Sequence, residues 1–189
     1  MAACSIRSRK CLQLSLLLLI TITMVCCTEA RKKMQETKMV FYMQDWESPP
    51  DFWKPGVNWT AVPIAGINGR FQNVLNFTSL FVMDNALTEG LDRNSKEMAR
   101  GQGIYVNSAL GGTDLHLIFS AVFTNEQYKG STLEFQGADR WNYQYREVSV
   151  VSGTGLFRYA RGYAILETVY LDIVGFNAVI RFNVTVRHY

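Results

Sequence analysis

The stretch Leu115-His116-Leu117-Ile118-Phe119-Ser120-Ala121-Val122-Phe123-Thr124 decides the fold. In an extended chain Leu115, Leu117, Phe119, Ala121 and Phe123 fall on one side, and His116, Ile118, Ser120, Val122 and Thr124 on the other. Successive side chains of a strand point to opposite faces of a sheet, so the first set belongs against a core. The C-terminal segment repeats the pattern, with Ala178, Ile180, Phe182, Val184 and Val186 on one face and Asn177, Arg181, Asn183, Thr185 and Arg187 on the other. Asn183 is thereby expected on the solvent side.

Working outward, period-two runs recur at Met39 to Trp46, Thr60 to Ala65, Phe77 to Asp84, Gly101 to Asn107, Ser131 to Ala138, Arg146 to Val151 and Tyr159 to Leu171, whereas helical periodicity is almost absent after Ala30. Gly111-Gly112, Gly130, Gly137, Gly153 and Gly155 punctuate the runs at expected turns or bends. The chain reads as all-β, with nine runs and no internal repeat or linker. Short antiparallel connections close most simply into a barrel or a sandwich, and a barrel of about eight strands has room for one small ligand. The segment Glu47 to Trp59, with Pro49, Pro50, Trp53 and Pro55, is expected to be a loop at one mouth, able to act as a lid.

Composition narrows the class. The 189 residues are 48% hydrophobic, 19% charged and 13% aromatic, which excludes a disordered chain. All four cysteines, Cys4, Cys11, Cys26 and Cys27, lie in the first thirty residues. There Arg7, Arg9 and Lys10 precede the apolar run Leu12 to Val25, which at 14 residues is shorter than the roughly 20 of a bilayer-spanning helix. This is the pattern of a secretory signal over residues 1–30, with Thr28 and Ala30 as small residues before the cut. Residues 31–189 then form one cysteine-free domain with 16 Lys/Arg against 15 Asp/Glu, a balance that points away from nucleic acid. Without disulfides, cohesion is expected from the core and from association with further copies of the chain. Asn58, Asn76 and Asn183 each open an Asn-x-Ser/Thr sequon, so N-glycosylation and an extracellular location are expected.

Three charges break the apolar phase of their strands. Asp45 shares a face with Phe41 and Met43, Asp139 continues the phase of Leu133, Phe135 and Gly137, and Arg146 shares a face with Val148 and Val150. Charges turned into a barrel must neutralise one another or line a pocket with altered pKa values; the alternative is that all three sit at wet strand ends. Metal and nucleophilic chemistry have little support, since residues 31–189 hold two histidines, His116 and His188, no cysteine and no His-x-x-x-His or Gly-x-Ser-x-Gly pattern. Both histidines are expected at the surface, and neither a cofactor nor a metal is expected. Gly153-Thr154-Gly155 reads as a turn because no helix follows it to hold a phosphate. Trp46, Trp53, Trp59, Trp141, Tyr143 and Tyr145 suit either stacking on an aromatic ligand or filling a barrel and its interfaces.

The segments Phe41 to Asp45 (FYMQD), Asp84 to Gly90 (DNALTEG), Gly101 to Val106 (GQGIYV), Val122 to Asp139 (VFTNEQYKGSTLEFQGAD), Arg146 to Ala164 (REVSVVSGTGLFRYARGYA) and Phe182 to Tyr189 (FNVTVRHY), in this order, resemble the plant dirigent proteins. The resemblance implies an eight-stranded antiparallel barrel similar to allene oxide cyclase, forming dimers or trimers in the apoplast. One of the nine runs is then surplus, and Arg146 to Val151 is the one expected to drop out. It also implies that a separate laccase or peroxidase makes phenoxy radicals, which the barrel orients so that coupling gives one enantiomer, as with coniferyl alcohol on the way to lignans. The family's pocket acids fall on Asp45 and Asp139, its arginine on Arg146, and a substrate-contacting tyrosine on Tyr105. Departures from the pinoresinol-forming members, with Gln44 for histidine, Asn107 for a second tyrosine, and both of their paired cysteines missing, place the chain nearer the broader dirigent-like group. Some members of that group act on other phenolics, including the dehydration of isoflavanols to pterocarpans through a quinone methide.

Overall fold

A computed structural model describes residues 33–47, 59–66 and 73–189. The expected leader, the sequon at Asn58, Trp53 and most of the Pro-rich segment lie outside the described residues. Nine strands follow in order: β1 Gln35–Trp46, β2 Ala61–Ala65, β3 Leu80–Thr88, β4 Glu97–Asn107, β5 Leu115–Phe123, β6 Thr132–Asp139, β7 Arg146–Thr154, β8 Arg161–Asp172 and β9 Asn177–His188. All ladders between them are antiparallel. The sheet runs β1-β9-β8-β7-β6-β5-β4-β3, and β1 pairs with β3 to close an eight-stranded barrel.

The surplus strand is β2. Arg146 to Val151 was expected to drop out of the ring, but β7 is a full barrel strand, hydrogen-bonded to β6 on one side and β8 on the other. β1 holds β3 at only three pairs, Tyr42 to Gln44 against Thr88 to Ala86, and β2 takes over the remaining edge of β3. Pro63 fits there because an edge strand can spare one amide donor. Thr60 fastens β2 to the end of β1: its Oγ1 accepts from the Trp46 amide at 3.0 Å and donates to the Gln44 carbonyl at 3.2 Å.

The alternation read from the sequence is the burial pattern of the structure. Leu117, Phe119, Ala121 and Phe123 of β5 are buried, as are Ile180, Phe182, Val184 and Val186 of β9, while Asn183 is exposed. Across the middle of the barrel, Phe119 stacks on Phe135 at 4.7 Å and Phe41 on Phe182 at 5.1 Å. The Phe41 and Phe135 rings meet edge to face at 6.2 Å. Burying each ring stabilises the fold by about 1.5–3 kcal/mol, so this layer is both the core and a floor.

Below that floor one end of the barrel is closed by Phe123, Tyr128, Phe157 and His188, whose rings lie 5.1 to 5.3 Å apart. His188 was expected at the surface; it is only 7% exposed, with Nε2 2.9 Å from Thr37 Oγ1 and its ring edge-on to Phe157. As a late residue of β9 it is held under Phe157 of a short 3-10 turn, Gly155–Phe157, a long-range contact that strand periodicity does not reveal. The Gly153-Thr154-Gly155 segment ends β7 and enters that turn, with Gly155 at φ +59°.

Candidate functional site

Above the phenylalanine floor the other end of the barrel opens into a cavity of about 880 Å3, mouth included, lined by Asp45, Glu47, Tyr105, Asp139, Trp141 and Arg146 among mostly apolar side chains. The strand order sets its plan. β1 and β6 stand four steps apart in the ring of eight, so Asp45 and Asp139 enter from opposite walls. Leu115 and Leu117 of β5 and Ala178, Ile180 and Phe182 of β9 form the apolar sides between them. The cavity is a slot with two polar poles.

The β6–β7 pole is an ion pair. The register of the hairpin, Gln136 opposite Ser149, carries forward to set Asp139 opposite Arg146 across a six-residue loop. Arg146 Nε donates to Asp139 Oδ1, its Nη2 donates to Thr168 Oγ1 at 2.8 Å, and both charged residues are 6% exposed. Burial pushes the Asp139 carboxyl above its ordinary value; the guanidinium opposes that push without cancelling it. Thr168 is brought into place beside a β-bulge: pairing shifts between Thr168 and Tyr170, after which Leu171, one phase over, also lines the cavity.

The opposite pole, where β1, β3 and β4 meet, holds acids that no cation among the described residues pairs with. Asp45 is 9% exposed, and its Oδ1 accepts from Asn85 Nδ2 at 2.9 Å. Desolvation raises its pKa to about 6 against the lowering effect of that hydrogen bond, and the charge of Asp139 adds to the rise. Two residues on, in the same phase, Glu47 is 7% exposed and accepts from the Tyr105 hydroxyl at 3.2 Å. Burial, assisted by Asp45, lifts Glu47 to about 9. Tyr105, stacked on Phe81 at 4.9 Å, is raised well above the usual phenol value by its own burial and by the two acids.

Thus the four residues singled out in the sequence, Asp45, Asp139, Arg146 and Tyr105, share one cavity. Glu47 was missed because the Pro-rich segment was taken to begin there, although counting in twos from Phe41 through Asp45 reaches it. Asn85 and Thr168 left no such signal, being neutral residues whose part depends on register. Gln44 does not line the cavity; its Nε2 donates to Thr88 Oγ1 at 3.1 Å and to the Leu91 carbonyl at 3.2 Å. Asn107 instead holds the rim, donating to the carbonyls of Val74 at 2.8 Å and Gly112 at 3.1 Å. Of the described members of the aromatic set only Trp141 lines the cavity: Trp46 lies under Arg93, 4.4 Å from its ring, and Tyr143 and Tyr145 are exposed. Among the described residues no group of His, Cys, Asp or Glu is arranged to hold a metal.

Buried carboxyl groups whose pKa is raised toward neutrality can hand a proton to an oxygen and take one back, and the ion pair opposite can orient a second oxygen. Comparison with known proteins agrees with this architecture. The sequence model of the family described as dirigent-like protein matches residues 36–187. Dirigent protein 1 of Arabidopsis thaliana is 35% identical over 176 residues, 92% of each chain. Pterocarpan synthase 1 of Glycine max is 32% identical over 185 residues, 95% of this chain and 96% of that one. A solved structure of a pterocarpan synthase dirigent protein superposes with a TM-score of 0.74 at 29% identity, over 85% of this chain and 88% of the other.

Proposed function

We propose, from the premise that the chain belongs to the dirigent family, that its barrel steers the ring closure of a phenolic quinone methide and sets the stereochemistry of the product. The observation that carries this reading is the pair of buried carboxyl groups, each pushed upward in pKa by burial, on opposite walls of one apolar slot. In the closure a ligand hydroxyl attacks the methide carbon, a C–O bond forms, and the hydroxyl gives up its proton. The quinone oxygen gains one as its ring becomes aromatic. Asp45 and Asp139 are the acids that supply and recover that proton, Arg146 holds Asp139 in position, and Tyr105 contacts the ligand. The walls act by orientation, which selects one face of the methide without speeding the oxidation that precedes it.

In the leading version two phenylpropanoid radicals such as those of coniferyl alcohol, made by a separate laccase or peroxidase, couple within the slot. The test is to add the purified protein to laccase and coniferyl alcohol and resolve the product by chiral chromatography. An enriched enantiomer is expected, lost on Asp139→Asn; a racemate removes this version. The likeness to structures of pterocarpan synthases favours a second version, in which one acid protonates the isoflavanol's aliphatic hydroxyl, which leaves as water while the phenolic proton passes to the other carboxylate, and the methide then closes. It predicts pterocarpan from a racemic isoflavanol with no oxidase present. Phenolic affinity that survives loss of both acids, with no turnover of either substrate, would leave a cell-wall phenolic-binding protein.

Secretion to the apoplast and glycosylation belong to the same proposal, supported by the exposure of Asn76 and Asn183. Among the described residues no helix is long and apolar enough to cross a membrane. Association into a homo-oligomer is supported by the row Val62, Val82, Ile104 and Ile118, directly opposite one another on the outer face of β2 to β5, where Val82 and Ile118 are more than 40% exposed.

A further inference from the structure

Glu47 has no part in the mechanism above, yet it is a buried acid on the wall of the same cavity. Its backbone is fixed by a bridge to Ala61 of β2, and Tyr105, which meets its Oε1, is itself clamped against Phe81. The titratable or charged groups that line the cavity with it are Asp45 on β1, Tyr105 on β4, Asp139 on β6 and Arg146 on β7; the other strands present uncharged side chains. Each nitrogen of Arg146 already has a partner, Nε on Asp139, Nη2 on Thr168 and Nη1 on the Tyr143 carbonyl. Among the described residues no ion pair includes Glu47. A second negative charge beside Asp45, out of water and without a cation, is strongly disfavoured.

We propose that Glu47 serves the cavity as a neutral hydrogen-bond donor: the Tyr105 hydroxyl occupies Oε1, and the proton on Oε2 is offered to an oxygen acceptor of the ligand, a quinone carbonyl or a phenolic hydroxyl. The β1–β4 pole then selects an oxygen that accepts, while the Asp139–Arg146 pole tolerates one that donates. The slot is thereby polarised, and a phenolic ligand with unlike ends enters in one direction. Burial, with the charge of Asp45 added, is what keeps the proton on Glu47 at neutral pH. The inference about the ligand rests on the phenolic reading; the protonation state does not.

Two measurements separate them. Infrared difference spectroscopy of the free protein at pH 7, wild type against Glu47→Gln, should show the loss of one protonated-carboxyl C=O band. A difference confined to carboxylate bands overturns the proposal whatever the protein acts on. Calorimetric titration with coniferyl alcohol in the absence of oxidase should find Glu47→Gln, which keeps a neutral donor, within about threefold of wild type. Glu47→Leu should bind about tenfold more weakly, the loss expected for one hydrogen bond. Equal affinities for the Gln and Leu variants overturn the donor role. A wild type with no affinity for coniferyl alcohol counts against the phenolic reading and leaves the infrared result standing.

Discussion

The same strands build both ends of the barrel, and the two ends are opposites. At the closed end Phe123, Tyr128, Phe157 and His188 pack ring against ring, and neighbouring side chains meet polar atoms there, Thr37 the His188 Nε2 and Gln127 the Tyr128 hydroxyl. At the mouth, strands in the same inward phase deliver Asp45, Glu47, Asp139 and Arg146 into a space left unfilled. The closed end gains stability from contact; the mouth gives some up, because buried acids without cations favour the unfolded chain once they ionise. The difference teaches where substitutions act: at one end on whether the barrel holds together, at the other on what it does.

The largest effect is expected at the closed end. Phe157→Ala removes a ring that touches Phe123, Tyr128 and His188, and should cost about 3–5 kcal/mol in urea unfolding. Because the cavity lies beyond the phenylalanine floor, the enantiomeric ratio of any product should not change. A loss under about 1 kcal/mol, or a changed ratio, would break the division between the two ends.

Next in size is the ion pair. Arg146→Met strands Asp139 and should destabilise the barrel by about 2–4 kcal/mol at pH 8. At pH 5 the cost should shrink, since a lone buried carboxyl can take up a proton instead. Asp139→Asn together with Arg146→Met should recover part of the loss. A pH-independent cost would mean that Arg146 matters for packing rather than for charge.

How much of this contrast could be read beforehand differs between the ends. Alternation alone placed the inner faces of β5 and β9, and three charges in apolar phase led to a shared cavity, because side-chain direction in a strand is a local property. The closed end was illegible for His188, whose cover comes from a turn about thirty residues earlier in the chain. The surplus strand was misassigned for a similar reason. Whether β2 or β7 belongs to the ring depends on which edge of β3 is already taken by β1, a matter of pairing that no single run records. Thr168 faces Arg146 beside a bulge, and a bulge breaks the parity from which such residues are found.

At the mouth the uncompensated acids set a pH dependence. Glu47 has a folded pKa of about 9 against an ordinary 4.5, and Asp45 about 6 against 3.8. A raised carboxyl pKa means that the folded state holds the proton more tightly. Their contribution is therefore fully favourable below about pH 4 and is lost as pH rises toward the folded values. Between pH 5 and 9 the stability of the wild type should fall, by up to about 1.4 kcal/mol per unit from one such group. Glu47→Gln should flatten that slope, whereas Phe157→Ala should lower the whole curve and keep its shape. Parallel curves for wild type and Glu47→Gln would show that the carboxyl titrates normally.

The smallest effect concerns Asn85, and it asks whether the mouth is tuned or merely buried. Asn85 is fully buried on β3, its Nδ2 donates to Asp45, and its own Oδ1 has no partner among the described residues. A donor to the charged form of an acid lowers its pKa, so Asn85 draws Asp45 down from where burial alone would set it. Asn85→Ala removes the donor together with the unpaired carbonyl, and these two losses oppose each other in stability, leaving a net cost of about 1 kcal/mol or less. Asp45 should then hold its proton to higher pH. The alkaline limb of ring closure should move upward by a fraction of a unit, with the enantiomeric ratio at its plateau unchanged. A limb that stays in place would mean that Asp45 is not the acid whose protonation the reaction needs, and that the working proton sits on Glu47 or Asp139 instead.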